Sequence, residues 1–150
     1  MAKDSTKVRE GFRTLTPILC VSDAVAAIRF YERVFDASVL ERHDEMGGKV
    51  SNAALAVGDS SLMLSDEFSE HSRQHAGEGW PQSPKSLGGS SASLYLYVPD
   101  ADAVLARAMA EGARTIRPAT DREWGDRVAS FEDPFGQVWT VATHVTRLPH

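Results

Sequence analysis

Two tyrosines standing two residues apart, Tyr95 and Tyr97 in SLYLYV (93–98), open the search for chemistry in this sequence. A phenol ring stacks on flat partners at ~0.5–1.5 kcal/mol per aromatic pair while its hydroxyl makes a hydrogen bond. It is a poor base unless its surroundings lower a pKa that starts near ~10. EWGDR (123–127) adds Trp124, which can stack on a planar ligand, and Asp126 and Arg127, which can meet its charge. The plainer role of that stretch is a salt-bridged loop that fixes a strand entry. His71 and His75 stand four apart in HSRQH, on one face if the segment is helical. Ser72 occupies the place where zinc proteases carry a glutamate, and the polar surroundings favour a solvated loop over a metal site. His43, in ERHDE, reads as surface. His144 shares strand parity with Thr140 and Ala142, and either reaches the rim of a cavity or simply ends its strand. No Ser-His-Asp or Cys-His arrangement and no phosphate-cradling glycine loop can be assembled from motifs.

The elements that must position these residues come in two copies. Residues 14–40, TLTPILCVSDAVAAIRFYERVFDASVL, lie over 91–116, SASLYLYVPDADAVLARAMAEGARTI, at a shift of 77 that becomes 76 after the helix. Each copy begins with a strand of alternating apolar residues and turns at Ser22-Asp23 or Pro99-Asp100, which can cap the helix that follows. Ala24, Ala27, Ile28, Tyr31, Val34 and Phe35 form the apolar stripe of the first helix; Ala101, Val104, Leu105, Ala108 and Met109 form that of the second. Gly112 suits a left-handed helix stop, which its counterpart Asp36 tolerates less well. Three strands then follow in each copy: 38–45, 49–57 and 61–66, then 115–119, 127–133 and 137–144.

The expected organisation is an N-terminal tail (1–12), a first βαβββ unit (13–66), a connector (67–90), a second βαβββ unit (91–145) and a C-terminal tail (146–150). The connector, rich in glycine, proline and serine, lacks sustained periodicity and reads as a linker or mobile loop. The fold class is α+β, with paired units forming a curved mixed sheet around a central cup. Helices cover one face, so Ser93, Tyr95 and Tyr97 belong to the other and line the cavity. Trp139 has parity opposite to Thr140 and packs beneath the helices. Trp80 anchors the connector or caps a pocket.

Composition narrows the partners. A net charge of −5 with no basic cluster disfavours nucleic acid. No apolar run approaches the ~20 residues of a membrane span, and MAKDSTKVREGFR lacks the apolar core of a signal peptide. Cys20 is the one cysteine, which fits a reducing cytoplasm and reads as a small buried strand residue.

TPILCVSDAVAAIRFYERVF (16–35), WGDR (124–127) and DPFGQVWTVATH (133–144) together resemble the vicinal oxygen chelate superfamily, in its PhnB-like, glyoxalase/bleomycin-resistance branch. The resemblance spans residues 13–144 and implies paired βαβββ units, often as a homodimer. Metal-dependent members place ligands, typically two His and two Glu, on the first and last strand of each unit. The corresponding residues here are Thr16, Ser93, Thr140 and Leu64 (Met63 if the register slips by one). None of these is a ligand for Zn²⁺, Ni²⁺ or Fe²⁺, so no metal and no other cofactor is expected.

The expected ligand wall is Thr16, Ile18 and Cys20 from one half, Ser93, Tyr95 and Tyr97 from the other, with Leu62, Leu64, Val138 and Thr140. Trp124 and Arg127 border it. Such a wall is mostly apolar with a few hydroxyls, as small-molecule sites are. The alternative is that the tyrosines plug the cavity or sit in a dimer interface. The leading functional expectation is metal-free sequestration of a hydrophobic or aromatic drug, without turnover. Two others stand beside it: a metal-dependent lyase or dioxygenase, and a metal-free enzyme using Tyr95, Tyr97 or Asp126 as acid or base.

Overall fold

The structure, a computed structural model, describes residues 7–145. The C-terminal tail (146–150) and the first six residues of the N-terminal tail lie outside the described residues. The chain divides into two compact units, one of residues 7–32 and Asp36–Ser83, the other of Arg33–Phe35 and 84–145.

In the first unit β1 (Ile18–Val21) leads to α1 (Ala24–Phe35, its last three residues grouped with the second unit), followed by β2 (Ser38–Asp44), β3 (Val50–Val57) and β4 (Ser60–Asp66). The sheet order is β1-β4-β3-β2, with β1 parallel to β4 and the other pairs antiparallel. After it come α2 (Glu70–Gln74) and a 3₁₀ turn at Ala76–Glu78. The second unit opens with α3 (Pro84–Leu87) and repeats the plan: β5 (Ser93–Tyr97), α4 (Ala101–Ala110), β6 (Arg114–Asp121), β7 (Asp126–Glu132) and β8 (Val138–His144). Its order, β5-β8-β7-β6, is that of the first sheet, again with one parallel pair.

The helices start and stop for the reasons the residues supply. Asp23 and Asp100 both sit in extended backbone, and their carboxylates accept the N–H of Ala26 and Ala103, each at 3.1 Å. Each helix's first N–H finds an acceptor on the last strand of its own unit: Ala24 donates to Asp66 at 2.8 Å, and Ala101 to Thr143 at 2.9 Å. The same side chain of Asp66 also takes the N–H of Val50 at 2.7 Å, joining the start of β3 to the helix N-terminus. At the other end Asp36 adopts the left-handed conformation (φ 59°) despite its Cβ, where its counterpart Gly112 (φ +99°) adopts it freely.

The α1 stripe is buried throughout, and Phe30 joins it. The stripe of α4 is narrower than its spacing suggests: Ala101, Val104 and Ala108 are buried, while Met109 is half exposed. Trp139 is buried, its indole N–H donating to Asp133 at 2.9 Å, with the Phe35 ring 4.7 Å away.

The 67–90 segment, read as a linker or mobile loop, contains α2, the 3₁₀ turn and α3. Ser69 caps α2 by accepting from Ser72, and Glu45 accepts the N–H groups of both Glu70 and His71 at 2.9 Å. Trp80 donates to Ser65 Oγ at 3.2 Å and meets the His71 ring edge-on at 5.0 Å, the anchoring role. Polar tethers of this kind order a segment without leaving a hydrophobic period to read. Among the described residues no helix is long and apolar enough to cross a membrane.

Candidate functional site

Strand alternation sorts the second sheet into two faces. Leu94 and Leu96 turn one way, while Ser93, Tyr95 and Tyr97 turn the other and stay exposed, Tyr95 by 45% and Tyr97 by 62%. β8 runs parallel to β5 with Thr140 beside Tyr95 and Ala142 beside Tyr97, and antiparallel to β7 with His144 opposite Asp126. Trp124 is delivered by the tight turn between β6 and β7, where Gly125 (φ +94°) takes a conformation that a side chain would strain.

These elements converge on one carboxylate. Asp126 is 1% exposed, and its Oδ2 accepts from Tyr95 at 2.6 Å, Tyr97 at 2.9 Å and the Trp124 indole at 3.1 Å. Its Oδ1 faces His144 Nδ1 at 2.9 Å. The hydroxyl of Tyr95, then His144, Tyr97 and Trp124, stabilise the ionised form and pull the carboxyl from 3.8 down to about 2. The tyrosines move the other way. Tyr95 is raised by loss of hydration and by its bond to Asp126; Tyr97 is raised first by the bond to Asp126. Their rings meet at 62° with centroids 5.4 Å apart. The polar ends of three aromatic side chains are therefore fixed while much of each ring faces solvent, Trp124 being 50% exposed.

The other expected wall residues divide. Ser93 and Thr140 share a hydrogen bond at 3.1 Å on the tyrosine face. Arg127, next to Asp126 in its strand, turns to the opposite face, where it pairs with Asp102 at 2.6 Å and Asp121 at 3.0 Å. That pairing raises its pKa further, and a side chain held so by two carboxylates serves α4 and β6. In the first unit Ile18 is 40% exposed, and Thr16 donates to the carbonyl of Arg13 at 3.0 Å. Cys20 is buried, and the desolvation, reinforced by Glu67 and Asp66, pushes its thiol up to about 12. Leu62 and Leu64 are buried too, Leu64 completely.

Leu64 also loses its place in the register. Ile18 pairs with Met63, as Tyr95 pairs with Thr140, so Met63 is the counterpart of Thr140 at a shift of 77. The shift at the preceding strand is 76, since Ala54 faces Met63 and Ser130 faces Thr140. The longer turn between β7 and β8 restores the residue that the second helix lacks. Thr16, Met63, Ser93 and Thr140 do not make a metal site: three hydroxyls and a thioether are weak donors, and two of the hydroxyls bind each other. Among the described residues no group of three or more His, Cys, Asp or Glu side chains comes together to hold a metal ion. His71 and His75 do adjoin, their rings 4.5 Å apart, and His75 pairs with Glu78.

Two hollows of ≈ 680 and ≈ 420 Å³ lie in the first unit and share Phe68 and Arg73 in their walls. Their volume suits a small molecule, but the larger is bordered by Glu45, Lys49, Glu70 and Arg73, with no convergence of groups like that on Asp126. Chemistry therefore favours the tyrosine face over the deeper relief.

The sequence singled out Tyr95, Tyr97, Trp124 and Asp126, but not that the first three all donate to the fourth. His144 is the residue left undecided. Counting outward from the β7–β8 turn, six residues from Glu132 and six from Val138, pairs Asp126 with His144 and would have found it.

Comparison with known proteins agrees with this architecture. Rv0887c, an uncharacterized protein of Mycobacterium tuberculosis, is 39% identical over 131 residues, covering 87% of this chain and 74% of its own. TioX from Micromonospora sp. ML1 superposes with a TM-score of 0.64 at 23% identity, covering 89% of this chain and 99% of that one. The PhnB protein of Bacillus cereus superposes equally well (TM-score 0.64, 18% identity, 87% of this chain and 99% of that one). At these identities the two structures speak for the fold alone. Residues 13–141 match the Glyoxalase/Bleomycin resistance protein/Dioxygenase superfamily, and the chain belongs to that family.

Proposed function

We propose that this protein captures a planar aromatic small molecule on the surface formed by Tyr95, Tyr97 and Trp124, and holds it without turnover. One observation carries the reading: three aromatic side chains stay about half exposed while their hydroxyl and N–H groups are tied to the buried Asp126. Rings held in this way lose little freedom when a ligand stacks on them, which is the advantage of a site formed in advance. Their faces also carry the negative side of the aromatic quadrupole. Arg122 lies over Trp124 at 4.9 Å from the ring centre, so this indole already accepts a flat group against it. Membership in a family that includes bleomycin-resistance proteins supports drug sequestration as the form this capture takes, and the PhnB-like branch as its nearer kin.

The two enzymatic readings have less support. The residues at the metal-binding positions of the family do not fit a metal. Tyr95 and Tyr97 are shifted away from acting as bases, and Asp126 is too acidic and too enclosed to serve as one. A homodimer and a reducing cytoplasm complete the proposal; the first is checked by light scattering of the purified protein, the second by cell fractionation.

The test is titration with planar heteroaromatic compounds while tryptophan fluorescence and melting temperature are followed. Capture predicts saturable quenching that Trp124→Phe largely removes, because the Trp124 indole is part of the proposed surface and Trp139 is buried. Unchanged fluorescence and melting temperature at high ligand concentration would sink the reading.

A further inference from the structure

Asp126 does more than hold aromatic rings. An ionised carboxylate can only accept hydrogen bonds, so the imidazole nitrogen facing it at 2.9 Å, His144 Nδ1, must carry the hydrogen. In the neutral ring the lone pair then resides on Nε2. His144 is an exposed side chain (61%) on a buried partner (1%), held through Nδ1, and Nε2 has no hydrogen-bond partner among the contacts that fix the ring. Both tyrosine hydroxyls, the Trp124 indole and the imidazole bond to the same two oxygens, so they surround a single carboxylate. Among the described residues no Lys or Arg side chain is hydrogen-bonded to the Asp126 carboxylate, and Arg122 is stacked on Trp124.

We propose that His144 is the proton acceptor for aromatic ligands that carry an acidic ring hydroxyl, with Asp126 as the positioning residue. The inference rests on the aromatic-capture reading and names the ligand class that the same site would favour. On binding, the O–H bond of the ligand breaks and its electron pair stays on oxygen. The proton forms an N–H bond at Nε2, and the resulting imidazolium keeps its Nδ1–H on Asp126. Charge is conserved, no electron is transferred and no further reactant is needed. The ligand is then held as a phenolate beside an imidazolium, a charge-assisted contact stronger than one between neutral groups.

Two probes isolate the step: 4-nitrophenol, whose anion is yellow and whose hydroxyl titrates near neutrality, and 4-nitroanisole, in which a methyl group replaces that proton. Both are followed by tryptophan quenching, and the first also by its colour as a function of pH. Wild-type protein is expected to bind both, with nitrophenol ionising about one pH unit lower when bound and binding about tenfold more tightly than nitroanisole. His144→Gln, at an exposed position, is expected to remove the pH shift and the tenfold preference while nitroanisole binding persists. Equal binding of the two probes by wild type, or a pH shift that survives in His144→Gln, overturns the proton transfer and leaves aromatic capture standing. If neither probe binds, both proposals fall.

Discussion

At the scale of single residues, the organising group is the Asp126 carboxylate, and its acidity makes a prediction with a definite sign. Its folded pKa of about 2 lies below the ordinary 3.8, so its ionised form stabilises the native state in full above pH 3.8. That contribution is lost as pH falls toward about 2. Asp126→Asn should therefore melt at a lower temperature than wild type above about pH 4, with the gap closing by about pH 2, as thermal melts across this range would report. A constant gap would mean that the carboxylate contributes by shape rather than by charge. Alternation alone puts Tyr95 and Tyr97 on one face. Nothing local puts Trp124, from a turn, and Asp126, from another strand, under the same two hydroxyls. Arg127 was read either as meeting a ligand's charge or as part of a salt-bridged loop, and its ion pairs with Asp102 and Asp121 are contacts to a helix and a neighbouring strand that no local pattern shows.

At the scale of elements, the caps and stops were readable because each depends on a few consecutive residues. Asp100→Ala should cost about 1 kcal/mol, since the Ala103 N–H would lose its acceptor, and the loss can be measured by urea unfolding. Asp36 and Gly112 give a paired test at equivalent positions. Asp36→Gly should stabilise by about 0.5–1 kcal/mol by relieving a left-handed aspartate, while Gly112→Ala should destabilise by about 1–2 kcal/mol. Register was harder to read. Leu64 was expected at the metal-ligand position of the last strand, with Met63 there if the register slipped by one; the β7–β8 turn had already restored the lost residue, and Met63 is the counterpart. Turn lengths, set by backbone geometry and not by hydrophobic period, are where such counting fails.

At the scale of the whole molecule, the two units share a strand order, a parallel pair and a capping scheme, and differ in what their equivalent positions carry. A shift of 77 brings Ile18 and Cys20 to Tyr95 and Tyr97, and Glu67 to His144; a shift of 76 brings Val50 to Asp126. The second unit thus holds a carboxylate with two phenols and an imidazole where the first holds Val50, Ile18, a closed thiol and the buried carboxylate of Glu67. Because Cys20 is buried and its thiol pushed up to about 12, a thiol reagent at neutral pH should label the native protein only as fast as it opens. Labelling followed through a denaturant series should track unfolding measured by fluorescence; fast modification in native buffer would show that the first unit opens on its own.

The direction of hydrogens around Asp126 has an outcome for what the surface admits. Tyr95 and Tyr97 have turned their protons inward, so an approaching molecule meets only oxygen lone pairs at their tips. At those two tips an amine or hydroxyl of a ligand finds an acceptor, whereas a carbonyl or nitrile finds no donor and must rely on stacking alone. The protein would thus sort visitors by the polarity of their rim.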